Sequence, residues 1–169
     1  QPLGVRLRIA DFDRAVDDAE AREAIPPIWE QRLPHLLPFH DGERFDLILA
    51  WDLPNYFRRE HWLAVARRIV ERLTPGGALH VLVRVGAEMP ERPCIYRILE
   101  PGILSEEIVS TKLAAAPRLP HAEIEKLHPG LVAPRSHLGK HGVQEYLLEH
   151  TAAHNLPPRP TAQLRQRYR

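Results

Sequence analysis

Residues 45–85 carry the pattern that most limits the fold, because two apolar segments flank one amphipathic helix. Residues 45–51, FDLILAW, are almost continuously apolar, which is typical of a strand buried on both faces of a parallel sheet. Residues 59–73 place apolar side chains at steps of three and four, opposite a row of arginines, and predict a helix. Residues 78–85, ALHVLVRV, predict the next strand. This order predicts two adjacent, parallel strands joined by a right-handed crossover, with Trp62, Val65, Ile69 and Leu73 facing the sheet.

The flanking segments predict further elements. Residues 5–10 alternate apolar and charged side chains, which indicates a strand, and residues 14–32 indicate a helix interrupted by two prolines. Residues 120–127 predict a short helix, and 131–138 with 144–149 predict a terminal strand pair. The succession predicts an α/β domain with an open, mostly parallel sheet that ends in an antiparallel hairpin.

Composition sets broad limits on the class of protein. A length of 169 residues suits one domain, and a formal charge of +1 shows no excess that favours nucleic acid or an anionic membrane. No apolar run approaches the roughly 20 residues that span a bilayer. The single cysteine, Cys94, excludes an intrachain disulfide and favours a reducing, cytoplasmic location. We expect one domain over residues 1–150, followed by a mobile basic tail rich in proline and arginine at 151–169.

Residues 37–83 contain the segment LPFHDGERFDLILAWDLPNYF, the helix at 59–73 and the turn LTPGGAL. In this order they resemble class I S-adenosylmethionine-dependent methyltransferases. The segment LPFHDGERFDLILAWDLPNYF is similar to the family's fourth-strand region, where a short LPF-type segment and a turn precede FDxIxxxDxxxY/H. The helix at 59–73 and the turn LTPGGAL, which leads into the fifth strand in the family, continue the likeness. The resemblance implies a Rossmann-like fold, S-adenosylmethionine as cofactor and methyl transfer to an acceptor that the sequence does not identify.

The resemblance also implies a cofactor site at the carboxyl ends of the strands, where open parallel sheets bind ligands. Asp11 is similar in position to the family's acidic residue after the second strand, which accepts hydrogen bonds from the ribose hydroxyls. The alternative is that Asp11 caps the following helix. The residues predicted to contact the cofactor are Asp11, Phe12, Trp51 and Asp52.

Residues 51–56, WDLPNY, are predicted to line the space between the cofactor and the acceptor. The catalytic candidates are Asp52, Asn55 and Tyr56, which supply a carboxylate, an amide and a phenol on a turn stiffened by proline. The segment also resembles the Asp/Asn-Pro-Pro-Tyr loop of amino-group methyltransferases, but an inserted residue prevents transfer of the substrate class. The alternative is a structural turn with Trp51 and Tyr56 in the core. The ten histidines come with no HExxH or cysteine cluster, so no metal site is predicted.

One defining element of the family is missing from these residues. None of the nine glycines forms the GxGxG loop whose backbone N–H groups approach the cofactor. The first strand of the family is central in its sheet, so its loss leaves buried backbone groups unpaired. Two explanations stay open: a fragment of a longer protein, which the start at Gln1 favours, or a shortened relative without a cofactor site. In both cases we expect no activity from these residues alone. The alternative function is a non-catalytic methyltransferase-like interaction or scaffold domain with a protein partner.

Overall fold

The structure is a computed structural model that describes residues 6–10, 12, 26–139 and 142–150. The chain divides into two compact units, residues 1–41 and 42–169. The helices of the described residues are α1 (Pro26–Leu36), α2 (Arg59–Val70) and α3 (His121–Leu127). The strands are β1 (Phe45–Trp51), β2 (Leu73–Arg84), β3 (Glu88–Pro90), β4 (Ile95–Glu100), β5 (Ile103–Glu107), β6 (Leu113–Ala115), β7 (Leu131–Leu138) and β8 (Val143–His150). The predicted tail at 151–169 lies outside the described residues.

The first unit differs from the sequence prediction in two ways. Residues 6–10 form no strand, so the strand predicted at 5–10 is wrong for these residues, and their apolar Leu7 and Ile9 are exposed. The alternating pattern makes a strand only where another strand supplies hydrogen-bond partners. Helix α1 begins at Pro26, where the pattern predicted an interruption, and continues to Leu36. Proline is tolerated in a first turn because its missing N–H has no partner there. The earlier part of the helix predicted at 14–32, up to residue 25, lies outside the described residues.

The main sheet of the second unit has the order β1-β2-β8-β7 among the described residues. Strands β1 and β2 are parallel, with Leu47 opposite Ala78, which confirms the predicted parallel pair. Strand β8 is antiparallel to both β2 and β7, which confirms the predicted terminal pair. The prediction of a mostly parallel sheet is wrong for the described residues, because one of their three strand pairings in this sheet is parallel. The strand expected at 5–10 contributes no pairing, since residues 6–10 are not extended against another strand.

The two parallel strands differ in how deeply they are buried. Leu79, Val81 and Val83 of β2 are fully buried, as expected for a central strand. In β1, Leu47 is 50% exposed and Leu49 is 36% exposed, so the prediction of burial on both faces is wrong for this strand. Within the described residues β1 pairs with β2 alone and forms an edge of the sheet.

The strand β2 begins five residues before the predicted start at residue 78, because the TPGG segment is part of it. Gly77 allows the close approach to β1 that this needs. A Cβ at this position would lie 2.9 Å from the Thr74 carbonyl oxygen and 3.0 Å from that of Phe45. Both contacts are with backbone, which has little freedom to move away.

Different elements cover the two faces of the sheet. The helix α2 buries Trp62, Val65 and Ile69, as the period predicted, and its Trp62 Nε1 donates a hydrogen bond to Nε2 of His128, directly after α3. The β4–β5 hairpin packs on the other face, where Cys94 and Tyr96 contact Leu82 of β2. The residues between β2 and α3 form β3 with β6 and β4 with β5, in two small antiparallel sheets.

Candidate functional site

The loop after β1 lies at the end of the parallel pair where a ligand is expected. Strand β1 ends at Trp51, which has a φ of +44°, a left-handed conformation that is uncommon for a residue with a large side chain. A single 3-10 turn, Leu53–Tyr56, follows directly, and Pro54 lies in its first positions. The chain therefore leaves β1 through a tight turn that carries Asp52 at its start.

Asp52 is 2% exposed and is bonded to the β4–β5 side of the sheet. Its Oδ2 accepts hydrogen bonds from the backbone N–H of Cys94 and from the hydroxyl of Tyr96, each at 3.1 Å. Burial raises the pKa of Asp52 to about 6, although both hydrogen bonds and the nearby Arg84 act in the opposite direction. The loop thus holds a carboxyl group that changes its protonation close to neutral pH.

Asp52 belongs to a buried polar group that we call the Asp52 cluster, comprising Asp52, Arg84, Cys94, Tyr96 and Glu106. Arg84 extends from the last position of β2 and forms an ion pair with Glu106 of β5, with Arg84 side-chain exposure of 8%. Its Nη2 also lies 3.4 Å from the Tyr96 hydroxyl and 3.5 Å from Cys94 Sγ. The Nε of Arg84 is buried without a hydrogen-bond partner among the described residues.

One hydroxyl proton serves two carboxylates in this cluster. The Tyr96 oxygen lies 3.1 Å from Asp52 Oδ2 and 3.2 Å from Glu106 Oε1, and a phenol can donate to one of them at a time. A proton on Asp52 supplies the second donor, which agrees with the raised pKa of that group. Burial raises the pKa of the Cys94 thiol to about 12, so this cysteine is not an activated nucleophile.

Asn55 joins the loop to β2 through backbone groups. Its Nδ2 donates to the carbonyl oxygens of Asp52 at 2.7 Å and Leu82 at 2.9 Å, and its Oδ1 accepts from the N–H of Arg84 at 2.9 Å. The side chain is 4% exposed. These bonds give Asn55 a structural role, and its catalytic role stays a prediction.

Tyr56 lies at the margin of the same region. Its ring is half-buried, and its hydroxyl donates to the carbonyl oxygen of Arg92 at 2.8 Å. Burial, and then the charge of Asp52, raise the pKa of this phenol above its ordinary value. The hydroxyl is therefore a neutral donor at physiological pH.

The structure places four of the predicted site residues together in one loop of the second unit. Trp51, Asp52, Asn55 and Tyr56 are adjacent, and the ring of Trp51 packs on Tyr96 with centroids 5.1 Å apart. Phe12 belongs to the first unit, where it is buried against Trp29. Asp11 lies outside the described residues, so its predicted role is untested.

Sequence reasoning missed the other members of the cluster. Arg84 could have been identified from the sequence, because a single arginine in the apolar run of β2 needs a partner once the strand is buried. Tyr96 and Glu106 could not, because their contacts with Arg84 depend on how the hairpin folds back.

Searches of family models and of curated proteins find no match to the chain. Among the described residues, no helix is long and apolar enough to cross a membrane. Nor do those residues contain a group of three or more histidine, cysteine, aspartate or glutamate side chains arranged to hold a metal ion.

Proposed function

We propose that the chain is part of a methyltransferase-like domain that transfers a methyl group from S-adenosylmethionine to an unidentified acceptor. The observation that carries the proposal is the loop at residues 51–56, at the carboxyl end of a strand in a parallel β1–α2–β2 unit. Open α/β sheets bind their ligands at this edge. The resemblance of residues 37–83 to the methyltransferase family supports the same assignment.

Two described residues that the resemblance assigns to the cofactor contact other groups of the chain. Phe12 packs on Trp29, and Asp52 Oδ2 accepts from Cys94 and Tyr96. The 169 residues also contain no GxGxG segment. We therefore assign the described loop to the acceptor side of the site, and we derive no chemical step that passes through the cofactor.

Asp52 is the residue of this loop that could accept a proton from an acceptor. A group with a pKa near the working pH is the most effective general base, and the pKa of Asp52 is about 6. Asp52 is 2% exposed and its Oδ2 accepts from Tyr96 and the Cys94 N–H, so in this proposal both donors separate from Oδ2 before it takes a proton from the acceptor.

A second candidate is a non-catalytic interaction or scaffold domain. The observation that favours it is the engagement of the loop's polar side chains, because Asp52, Asn55 and Tyr56 all bond to groups of this chain. In this case the loop serves only to fix the hairpin against the sheet.

Calorimetric titration with S-adenosylmethionine separates the two candidates. We expect weak or absent binding by the 169-residue chain, and binding by the full-length gene product that contains it. In that product Asp11→Ala should weaken binding by about 1–3 kcal/mol, the usual cost of losing a charged hydrogen-bond partner. Asp13→Ala is the matched control and should leave the affinity unchanged, because the sequence favours Asp13 as the cap of the helix predicted at 14–32.

Two results would count against these expectations. Micromolar binding by the 169-residue chain would show that the glycine loop is not essential. A failure of the full-length product to bind would overturn the catalytic proposal and support the scaffold domain.

A further inference from the structure

A second polar region lies on the face of the sheet opposite the Asp52 cluster, in an open cleft of about 530 Å³. Its walls are residues 85–87, which follow β2, residues 118–121, which lead into α3, and Gln144 and Tyr146 of β8. Gln144 and Tyr146 lie opposite Val83 and Val81 in the sheet, which places the cleft on the face that α3 covers. All of these residues belong to the second unit.

Arg118 gives the cleft its charge. It is exposed, and it is the one lysine, arginine, aspartate or glutamate side chain among the described lining residues. No hydrogen bond or ion pair joins it to the part of the chain that the structure describes. An arginine without a carboxylate partner, at the wall of a concave surface, has its whole fork of N–H donors available for a ligand.

The backbone holds Arg118 in an unusual conformation. Its φ is +48°, which a non-glycine residue adopts rarely. Pro117 precedes it, and Pro120 restricts Leu119 to extended conformations, so the chain on each side is stiff. Residues held in sparsely populated backbone regions occur preferentially at ligand sites, where the cost of the conformation is offset by the position that it gives a side chain.

His121 is fixed in the same wall by an aromatic contact. Its ring stacks on Tyr146, with centroids 5.4 Å apart, and its Nδ1 lies 3.3 Å from the Tyr146 hydroxyl. That contact leaves Nε2 without a partner in the described part of the chain. The amide of Gln144 adds further donors to the lining. The cleft therefore combines a fork of donors, a ring nitrogen and an amide with no competing carboxylate.

We propose that this cleft binds the oxyanion group, a carboxylate or a phosphate, of a small molecule, with Arg118 as the principal donor and His121 beside it. An arginine fork matches the oxygens of either anion in a bidentate manner. The proposal is independent of methyl transfer, because it uses no residue of the 51–56 loop or of the Asp52 cluster.

The test is a titration followed by nuclear magnetic resonance, with sodium phosphate and sodium acetate as separate probes and sodium chloride holding the ionic strength constant. We expect saturable shifts of the backbone amides of Gly86, Ala87 and Gln144 with at least one probe. Arg118→Gln should weaken that binding by about tenfold or more, and Arg118→Lys by less, since lysine keeps the charge and loses the fork. Saturation with phosphate alone or acetate alone identifies which oxyanion the cleft accepts.

Arg97→Gln is the matched control, because it removes the same charge from an exposed arginine of β4 that pairs with Glu107. It should leave the binding unchanged. The proposal is overturned if neither probe saturates, if Arg118→Gln binds as tightly as the unaltered chain, or if Arg97→Gln weakens binding equally. Spectra that coincide outside the cleft establish that the Arg118 variants are folded.

Discussion

The Asp52 cluster and the cleft beside Arg118 meet at two consecutive residues, Arg84 at the end of β2 and Val85 directly after it. Arg84 extends into the cluster, whereas Val85 lines the cleft, because successive side chains of a strand point to opposite faces. Each region also has a non-glycine residue with positive φ beside or within it: Trp51, whose ring packs on Tyr96 of the cluster, and Arg118 in the cleft. These are the two such residues in the described chain. The two regions differ in the environment of their charged groups. In the cluster Arg84 is buried and paired with Glu106, whereas in the cleft Arg118 is exposed and has no ion-pair partner among the described residues.

That difference has a physical consequence for function. Removing charges from water is costly, so a buried ion pair contributes little net stability while the loss of one partner is expensive. The cluster therefore constrains where the β4–β5 hairpin lies against β2. An exposed arginine bears no such penalty, and its donors are free to exchange water for a ligand. We expect substitutions in the cluster to change stability and substitutions in the cleft to change binding.

The largest effect should come from Arg84→Met. It leaves Glu106 without its ion-pair partner and removes the cation nearest Asp52, so we expect a loss of about 3–5 kcal/mol in the free energy of unfolding. Arg118→Met should change it by less than about 0.5 kcal/mol, as for an exposed site. Urea denaturation measures both. Equal losses would show that the two arginines do not differ in the way that their burial indicates.

On the face of the sheet that α2 covers, stability should depend on the volume of the buried side chains and not on charge. Ile69 is 5% exposed, and Ile69→Ala should lower the free energy of unfolding by about 2–5 kcal/mol, as for other buried aliphatic truncations. The matched control is Ile98→Ala on β4, where the side chain is 66% exposed and the change should be below about 0.5 kcal/mol. A loss at Ile69 as small as that at Ile98 would mean that α2 does not pack as described.

The two faces should also respond to pH in opposite directions. The pKa of Asp52 is raised from 3.8 to about 6, so its contribution to stability is present below pH 4 and is lost as the pH rises to 6. Burial lowers the pKa of His128 from 6.5 to about 4, against the effect of its bond to the Ile124 carbonyl. Its contribution is present above pH 6.5 and is lost as the pH falls to 4. Each change is about 3 kcal/mol, so the two largely cancel in the unaltered protein.

Single substitutions should reveal each half of this balance. In Asp52→Asn the free energy of unfolding should rise between pH 4 and 6.5, and in His128→Gln it should fall over the same range. Denaturation at several pH values measures both slopes. Parallel slopes in the two variants would contradict the opposite protonation changes that burial imposes on these groups.

The comparison also shows which parts of the structure the sequence could predict. The β1–α2–β2 unit and the β7–β8 pair were predicted because each has a local pattern of apolar side chains, and a buried stripe such as Trp62, Val65 and Ile69 follows directly from helical geometry. Residues 6–10 have the alternation of a strand and form none, because alternation supplies no partner strand. Strands as short as β3 and β6 contain too few residues to show a period.

The candidate site was predicted only as far as the loop itself. Asp52, Asn55 and Tyr56 are adjacent in sequence, so their proximity needed no knowledge of the fold. Their partners come from distant residues: Tyr96 follows Asp52 by 44 positions, and Leu82 follows Asn55 by 27. The cleft was not predicted at all, since Arg118 and Gln144 approach each other only when β8 pairs with β2.

The smallest effect concerns the two tyrosines at and inside the cluster. The Tyr56 hydroxyl has one neutral acceptor, the Arg92 carbonyl, at a half-buried position, so Tyr56→Phe should cost about 0.5–1.5 kcal/mol in urea denaturation. Tyr96→Phe removes a hydroxyl that lies between two carboxylates and Arg84, and should cost more, about 1.5–3 kcal/mol. Equal costs would place Tyr56 inside the charged cluster as a structural residue. If the cost of Tyr56→Phe is too small to measure, water replaces the Arg92 carbonyl as the partner of the Tyr56 hydroxyl without loss of stability. The hydroxyl would then be available to the methyl acceptor, as the sequence predicts.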